Sequence, residues 1–357
     1  MQERALRKNL RCNEEGVSLM EKKPWLVDVP VKVNIWIRPE CQRKQFEVLK
    51  QARPRILFIQ SDGGRNEKEW EIIKEHRKMF DTEIDWDCEV YRIYADKNYG
   101  LYTMGRMRDK VIWDHVDRCI YLEDDHIPSV SYFRFCAELL EKYKDDERIC
   151  CICGMNHLGV YEDATADYFF SRQGSIWGVA TWKRVYEKFF RFDYEDDSYV
   201  MKLLEQRTRH NRFFWKKRIL GYKANKMHNG HEAGDEFFIE LSMYLNNQVQ
   251  IIPKYNLISN IGCSEDAAHS NSIKFLPHGI RRVFFSKTYE LNFPLRHPKY
   301  VIPDIEYEKK RDRIMAHNHS IISCMRKIES FLLLIRYGKF NLALRKVKNT
   351  VIRPRET

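Results

Sequence analysis

The sequence is poor in long apolar runs. No stretch approaches the roughly 18 apolar residues that a membrane-spanning helix needs, which argues against an integral membrane protein. The first residues, MQERALRKNLRCNEEG, lack the apolar core of a secretory signal, so we expect a cytoplasmic chain. Repeats and low-complexity tracts are also missing. Because 43% of the 357 residues are hydrophobic, the composition indicates a globular protein with a sizeable core.

The sequence also lacks the glycine-rich loops that hold phosphates in common nucleotide-binding proteins. Neither Gly-x-x-x-x-Gly-Lys-Ser/Thr nor Gly-x-Gly-x-x-Gly occurs, which argues against P-loop enzymes, kinases and dinucleotide-dependent enzymes. The ten cysteines are scattered, and without a secretory signal they are expected to be thiols, not disulfides. Three of them fall in RICCICG (148–154), which has the composition of a buried strand.

The positive charge is concentrated near the C-terminus. The chain carries +11, of which residues 321–357 contribute +7 through nine Lys or Arg against two Glu. A nearly balanced body with a basic tail argues against nucleic acid and favours a local anionic surface. Apolar residues such as Phe340 and Leu344 recur at helical spacing after Gly338. Residues 320–357 are therefore expected either to lie peripherally on the inner face of the cytoplasmic membrane or to pack on the body.

From residue 31 onward, short apolar runs alternate with amphipathic segments. The strand-like runs are 31–37, 55–60, 88–94, 118–122 and 148–154. Helical periodicity between them predicts βαβ units, and hence an α/β fold with a mainly parallel sheet flanked by helices. Ser129 or Ser131 is the expected N-cap of the helix after the fourth run.

Polar clusters follow three of the predicted strands. Arg38 follows the first strand and Asp62 the second, while Glu123, Asp124 and Asp125 follow the fourth. Because parallel strands end at one edge of a sheet, these residues should lie together and mark a ligand site. Three adjacent carboxylates in a partly enclosed place need a cation, and hard oxygen ligands suit Mg²⁺ or Mn²⁺. The alternative is an acidic turn that caps the next helix.

The order of these motifs resembles a known family. VNIWIRPE, FIQSDGG, NYGLYTMGRM and IYLEDDHIPSVSYFRF resemble nucleotide-sugar-dependent glycosyltransferases of the GT-A fold, over about residues 31–270. The similarity is greatest to bacterial enzymes of surface-polysaccharide synthesis, a hemolysin-like group, and the motif order is similar to the inverting N-acetylglucosaminyltransferase I type. The resemblance implies a Rossmann-like sheet. It also implies transfer of a hexosyl or N-acetylhexosaminyl group from a nucleotide diphosphate sugar to a glycan or lipid-linked acceptor.

The resemblance implies a donor-binding role for each matching residue of the first half. Arg38 and Asp62 would contact the nucleobase and ribose. Asn98 and Gly100 would line the same pocket, and Arg106 would reach a phosphate. The two glycines of SDGG would let the backbone approach a ligand. A plain β-turn in SDGG is the alternative.

The Glu-Asp-Asp triplet resembles the Asp-x-Asp-type motif of the family. Asp125 would be the direct ligand of Mn²⁺ or Mg²⁺, while Glu123 and Asp124 would face the ribose and the sugar. The metal would neutralise the leaving diphosphate.

Two segments of the second half match the family as well. IWGVATWKR implies that Trp177 or Trp182 presents an aromatic face to the sugar, with core positions as the alternative. NLISNIGCSEDAAHS implies that His269 reaches the diphosphate or the metal, with a surface position as the alternative.

Inverting transfer needs a carboxylate that takes the proton of the acceptor hydroxyl. In AGDEFFIE, Asp235 matches the base of related enzymes at a helix start, where the helix dipole keeps a carboxylate ionised. Glu236 is the reserve, and a helix cap is the alternative role for Asp235. Gly234 and Phe237 replace the Trp and Gln of the related enzymes. The preceding HNGHEAG lacks the His-Glu-x-x-His pattern and predicts an acceptor-side lid rather than a zinc site.

These matches divide the chain into three parts. Residues 1–30 are an N-terminal extension, 31–275 are the catalytic domain, and 276–357 are a C-terminal extension with basic amphipathic helices. Within the domain, 31–154 would bind the nucleotide and 155–275 the acceptor. Two rival functions stay open: a sugar nucleotidyltransferase, and a non-catalytic nucleotide- or glycan-binding protein on the same fold.

Overall fold

The computed structural model describes residues 22–189, 197–209, 211–223, 235–263 and 273–344. The strands in these ranges are β1 (Val27–Ile35), β2 (Pro54–Ser61), β3 (Glu89–Tyr94), β4 (Arg118–Leu122), β5 (His126–Pro128), β6 (Ile149–Cys153), β7 (Tyr168–Ser171), β8 (Val179–Trp182), β9 (Val249–Pro253) and β10 (Ile258–Asn260). The helices are α1 (Pro39–Ala52), α2 (Glu67–Thr82), α3 (Leu101–His115), α4 (Ser131–Lys142), α5 (Lys183–Phe189), α6 (Ser198–Arg207), α7 (Asp235–Asn246), α8 (His278–Arg281), α9 (Ile305–Met315) and α10 (Ser320–Arg336). A π-helical segment occupies Phe214–Ile219, and a 3₁₀ turn occupies Ile273–Phe275.

A mainly parallel sheet forms the centre of the fold. Its strand order is β3-β2-β1-β4-β8-β6-β9-β7, and β5 forms a separate antiparallel pair with β10. Strands β7 and β8 run against their neighbours, while the other six strands of the sheet share one direction. Helices pack against this sheet, and further helices follow in the C-terminal part. The predicted α/β class is confirmed.

The first strand begins earlier than the sequence pattern predicts. It runs from Val27 to Ile35 rather than over residues 31–37. The β1–β2 register is irregular between Val27 and Pro30. An irregular register tolerates the missing N–H of a proline, so Pro30 lies within the strand and does not precede it.

Helix α1 begins with Pro39, whose fixed φ suits the first helical position. Its buried face contains the apolar residues Phe46 and Leu49, which pack into the main core. The same face also buries Gln42 and Gln45, whose amides cannot be left without partners. The Gln42 amide accepts from the N–H of Trp36 after β1 at 3.3 Å, and the Gln45 amide donates to the carbonyl of Glu123 after β4 at 2.7 Å. Helix α1 therefore links the core to that edge of the sheet.

The N-terminus of α4 is not capped by a serine side chain, so that prediction is wrong. The carboxylate of Glu290 accepts from the backbone N–H of Val130 at 3.0 Å and of Ser131 at 2.7 Å. A carboxylate at this end also complements the helix dipole. The Ser131 hydroxyl instead accepts from the N–H of Leu291 at 2.9 Å. The cap of this helix therefore comes from the C-terminal part of the chain.

The C-terminal part contributes unequally to the core. Leu295 and Tyr307 belong to the main hydrophobic cluster. Helix α10 buries only Ser330 and Leu334 among its described residues. Gly338, at a φ of 69°, separates α10 from helical residues that begin at Phe340, as predicted. Within the described ranges, none of the helices combines the length and apolarity that crossing a bilayer requires.

Candidate functional site

The carboxyl ends of three parallel strands meet at one edge of the sheet. In the registers, Ile35 of β1 lies beside Ser61 of β2, and Val33 of β1 lies beside Leu122 of β4. The loops that follow these strands carry the predicted site residues. The structure thus places the three polar clusters on a common edge, as the βαβ pattern predicts.

Arg38 holds two carboxylates of the triplet together. Its Nη1 donates to Oδ2 of Asp124 at 2.9 Å and to Oδ2 of Asp125 at 2.8 Å. Burial raises the pKa of Asp124 to about 6, with the charges of Asp125 and Glu123 adding to the rise and Arg38 opposing it. In this structure, the positive charge that neutralises the acidic loop therefore comes from Arg38 of the same chain.

The second oxygen of Asp125 faces the β5–β10 pair. Asn260 Nδ2 donates to Oδ1 of Asp125 at 3.2 Å, and the N–H of Gly262 donates to Oδ1 of Asn260 at 3.0 Å. A Cβ on Gly262 would lie 2.1 Å from Oδ2 of Asp125, closer than any real contact. Position 262 therefore has to be glycine for this carboxylate to keep its place.

Glu123 is neutralised separately. Lys32 is 0% exposed in the middle of β1, and its Nζ lies 3.1 Å from Oε1 of Glu123, while Asn34 Nδ2 donates to Oε2. Burial alone would raise the pKa of Glu123, but the charges of Lys32, His126 and Arg108 outweigh it and lower the pKa to about 2. A lysine in the centre of an otherwise apolar run was the sequence signal for this pair.

His126 lies directly behind the acidic loop. It is 2% exposed, and its Nδ1 accepts from the N–H of Glu123 at 3.1 Å. The proton therefore resides on Nε2, which lies 3.7 Å from Oδ1 of Asp125. Burial lowers the pKa of His126, so the ring is neutral near pH 7. Its position beside the triplet in EDDH was the available signal for this neighbour, which the sequence reasoning missed.

Asp62 is held by the backbone of two loops. Its Oδ1 accepts from the N–H of Gly63 and of Tyr99, each at 2.8 Å, and its Oδ2 accepts from the N–H of Gly100 at 2.9 Å. Asn98 Nδ2 donates to the carbonyl of Gly63 at 2.8 Å. Three of the predicted donor residues, Asp62, Asn98 and Gly100, are thus brought together. Their mutual contacts favour the turn alternative for Asp62.

The glycines of SDGG serve contacts within the chain. A Cβ on Gly63 would lie 2.3 Å from the carbonyl carbon of Lys97, and one on Gly64 would lie 2.7 Å from the amide nitrogen of Trp70. Both glycines therefore let neighbouring segments approach closely. In this structure the close approach at both glycines is to protein backbone, and the predicted approach to a ligand stays a prediction.

The two tryptophans of IWGVATWKR have different environments. Trp182 is buried, and its Nε1 donates to the carbonyl of Leu140 at 3.0 Å, which makes it a core residue. Trp177 is half-buried and packs on Phe284, with 5.0 Å between ring centroids, and its ring lies 6.4 Å from that of His126. Of the two, only Trp177 borders the site.

The structure describes three of the remaining predicted residues, Arg106, Asp235 and Glu236. Arg106 is exposed on α3. Asp235 is the first residue of α7, as predicted, and Glu236 forms an ion pair with Arg218 at 2.9 Å. His269 and the HNGHEAG segment lie outside the described residues.

The donor chemistry of the acidic loop fits a hard divalent cation. Asp124 and Asp125 offer carboxylate oxygens, and Mg²⁺ commonly uses one or two carboxylates together with substrate phosphates. Among the described residues, no group of three or more His, Cys, Asp or Glu side chains is arranged to hold a metal. The nitrogen of Arg38 lies between the two carboxylates that fit the ion.

Comparisons with known proteins add structural likenesses. No family model and no curated protein matches the sequence. Among solved structures, the chain is similar to a mannosyltransferase, PcManGT from Pyrobaculum calidifontis in complex with GDP-Man and Mn²⁺, with 14% identity, a TM-score of 0.31, and coverage of 50% of this chain and 55% of that chain. It is also similar to S. aureus TarS 1–349, with 11% identity, a TM-score of 0.34, and coverage of 65% and 59%.

A third likeness is to mouse xyloside xylosyltransferase 1 in its apo form, with 12% identity, a TM-score of 0.35, and coverage of 78% of this chain and all of that chain. The first and third of these neighbours are named as a mannosyltransferase and a xylosyltransferase. The chain spans little more than half the length of the first two. Identities of 11–14% with TM-scores of 0.31–0.35 are too low to assign a family.

Proposed function

We propose that the protein is a metal-dependent glycosyltransferase that uses a nucleotide diphosphate sugar as donor. The proposal rests mainly on the pair Asp124 and Asp125 at the carboxyl edge of a parallel sheet. Arg38 and Asn260 hydrogen-bond to this pair, and the missing side chain of Gly262 leaves space for Asp125. Ligands of such sheets bind at this edge, and the motif order around the pair resembles the GT-A enzymes.

In this proposal the acidic loop binds the donor. Asp125 is the metal ligand, with Mn²⁺ or Mg²⁺ as the ion, and Asp124 and Glu123 face the sugar and ribose. A bound divalent cation supplies positive charge to the departing diphosphate. Lys32 keeps Glu123 ionised and fixed in position. Trp177, half-buried beside His126, offers the sugar an aromatic face.

The nucleotide occupies the neighbouring loops. Arg38 and Asp62 lie nearest the base and ribose, with Asn98 and Gly100 lining the pocket and Arg106 reaching a phosphate. The hydrogen bonds of Asp62 with three backbone N–H groups support an indirect contribution, in which the carboxylate fixes the shape of the loop.

Asp235 is the proposed general base, which gives inversion at the anomeric carbon. It begins α7, where the helix dipole favours the ionised form. Glu236, the reserve, is already paired with Arg218 at 2.9 Å. His269 is proposed to contact the diphosphate or the metal.

The acceptor is proposed to be a glycan or a lipid-linked glycan of cell-surface polysaccharide synthesis, reached by peripheral membrane contact through residues 320–357. The described part of this segment supports the contact through exposed apolar residues: Ile321, Met325, Ile328, Leu332, Phe340 and Leu344. Co-sedimentation with anionic liposomes should recover the full chain, and a chain ending at residue 319 should stay in the supernatant. Equal recovery of both would contradict the membrane contact.

Donor hydrolysis tests the main proposal. With Mn²⁺ and the correct sugar nucleotide, the purified protein should slowly release nucleoside diphosphate. Asp125→Asn should lower this release at least 100-fold, whereas Asp87→Asn, at an exposed position outside the site, should leave it unchanged. Release that persists in Asp125→Asn or in EDTA would contradict the metal site. Asp235→Asn should retain donor binding and lose transfer.

A non-catalytic nucleotide- or glycan-binding protein is the second candidate. Phe237, which replaces the Gln of related enzymes, is buried in a hydrophobic cluster beside Leu204 and Phe214. This position of the first turn of α7 therefore serves packing in this structure. Donor binding without hydrolysis or transfer in the wild-type protein would favour this candidate.

A further inference from the structure

We propose that Arg38 is an internal gate of the metal site: its guanidinium holds Asp124 and Asp125 together until a divalent cation displaces it. The proposal rests on the proposed function, because it takes Asp125 as a metal ligand. It adds a competition between a side chain and the ion that the acidic motif alone does not predict.

The first argument is the geometry of the Arg38 contacts. One nitrogen, Nη1 of Arg38, contacts Oδ2 of Asp124 and Oδ2 of Asp125 at 2.9 and 2.8 Å. Two oxygens from different residues therefore face a single positive group. A cation held by Oδ2 of Asp125 would lie against this positive nitrogen, so the guanidinium and the ion would compete for the same carboxylate.

The charges carry the second step. Asp124 and Asp125 keep only 11% and 15% of their side-chain surface exposed, and like charges this close repel. Lys32 pairs with Glu123, whereas Arg38 contacts both aspartates directly. An arginine does not lose its proton in the physiological range, so Arg38 keeps its positive charge.

The third argument compares the exposure and contacts of Arg38 with those of Asp125. The Arg38 backbone is fixed between β1 and Pro39, the first residue of α1, whereas 36% of its side-chain surface is exposed. Asp125 is held from its other side by Asn260 and by the close approach of Gly262. The guanidinium is therefore the member of the cluster that can leave. Once displaced, it becomes available for the nucleotide contact proposed above.

Binding of Mn²⁺ alone, without donor, tests the gate. Free Mn²⁺ would be measured by electron paramagnetic resonance with the full chain and three variants: Arg38→Met, Arg43→Met and Asp125→Asn. Arg38→Met should bind one Mn²⁺ about tenfold more tightly, because two charge-assisted hydrogen bonds no longer compete with the ion. Arg43→Met is the matched control, since Arg43 lies on α1 but pairs with Glu83. It should bind like the wild type.

Each outcome decides between the claims. Binding abolished by Asp125→Asn but equal in the wild type and Arg38→Met would overturn the gate and leave the metal site intact. Weaker binding in Arg38→Met would overturn the gate as well. Absence of Asp125-dependent binding in every form would overturn both the gate and the metal requirement. Arg38→Gln, with circular dichroism of each variant, keeps the test valid if Arg38→Met folds poorly.

Discussion

The loops after β2 and β4 make an instructive pair. Both present aspartates at the same edge of the sheet, and the sequence predicts a ligand-binding role for each. In the first loop, Asp62 accepts from three backbone N–H groups that belong to fixed segments. In the second, Asp124 and Asp125 share one flexible arginine. Carboxylates held by backbone serve the fold, whereas carboxylates held by a movable side chain can exchange their partner for a ligand.

Removing Asp62 should have the largest effect on stability. Asp62→Ala leaves three backbone donors without their partner, and we expect the free energy of unfolding to fall by about 3 kcal/mol. Asp125→Ala should change it by less than about 1 kcal/mol, because it also removes repulsion with Asp124. Urea denaturation of both, with Asp87→Ala as the exposed control, measures the difference. Equal losses of unfolding free energy for Asp62→Ala and Asp125→Ala would contradict the proposed difference between the two loops.

Removing Lys32 should have an intermediate effect that depends on pH. The pKa of Glu123 is lowered to about 2 in the folded state, so its ionisation stabilises the protein above the unfolded pKa of about 4.3. This contribution is lost as the pH falls from about 4.5 to about 2. Lys32→Met should cost about 2 kcal/mol at pH 7, since Lys32 is fully buried while Glu123 keeps 38% of its side-chain surface exposed, and the cost should shrink over that window.

Urea denaturation across this pH range checks the Lys32 prediction. Lys44→Met, which removes an exposed lysine of α1, is the control and should track the wild type at each pH. A cost for Lys32→Met that stays constant from pH 7 to pH 2 would show that lost packing, rather than the charge of Glu123, explains it.

Adding a methyl group at position 262 should destabilise the fold less than the removal of Asp62 or Lys32, and its main effect should be on the site. Gly262→Ala places a Cβ against Oδ2 of Asp125, so the carboxylate must shift. We expect a loss of about 1 kcal/mol in stability and a weaker affinity for Mn²⁺. Gly105→Ala, whose Cβ meets Arg108 Nη2 at an ordinary 3.6 Å, is the control. Unchanged Mn²⁺ affinity in Gly262→Ala would contradict the proposal that Asp125 is a metal ligand.

The fold was predictable because strand and helix periodicities are local. The order of β1, β2, β3, β4 and β6 follows from strand-like runs between amphipathic helices, whereas the short β5 was not predicted. The shared edge of Arg38, Asp62 and the triplet follows from parallel pairing. The cap of α4 was not predictable, because its carboxylate lies about 160 positions away in the chain.

The partners of the acidic loop were only partly predictable. That Arg38 and the triplet lie at one edge follows from topology, but their direct contact depends on the paths of two loops. Lys32 and Gln45 were missed because the sequence does not show which group a buried charge or amide contacts, and here that group belongs to Glu123. The pattern identifies residue types at an edge, and tertiary packing decides which of them pair.

The Glu290 contact has a consequence for the order in which the chain folds. During synthesis α4 emerges long before Glu290, so its first N–H groups stay open while the parallel strands assemble. Domains tend to fold as units once the segments that complete them have left the ribosome. The cap of α4 is therefore completed only by a carboxylate from the final fifth of the polypeptide.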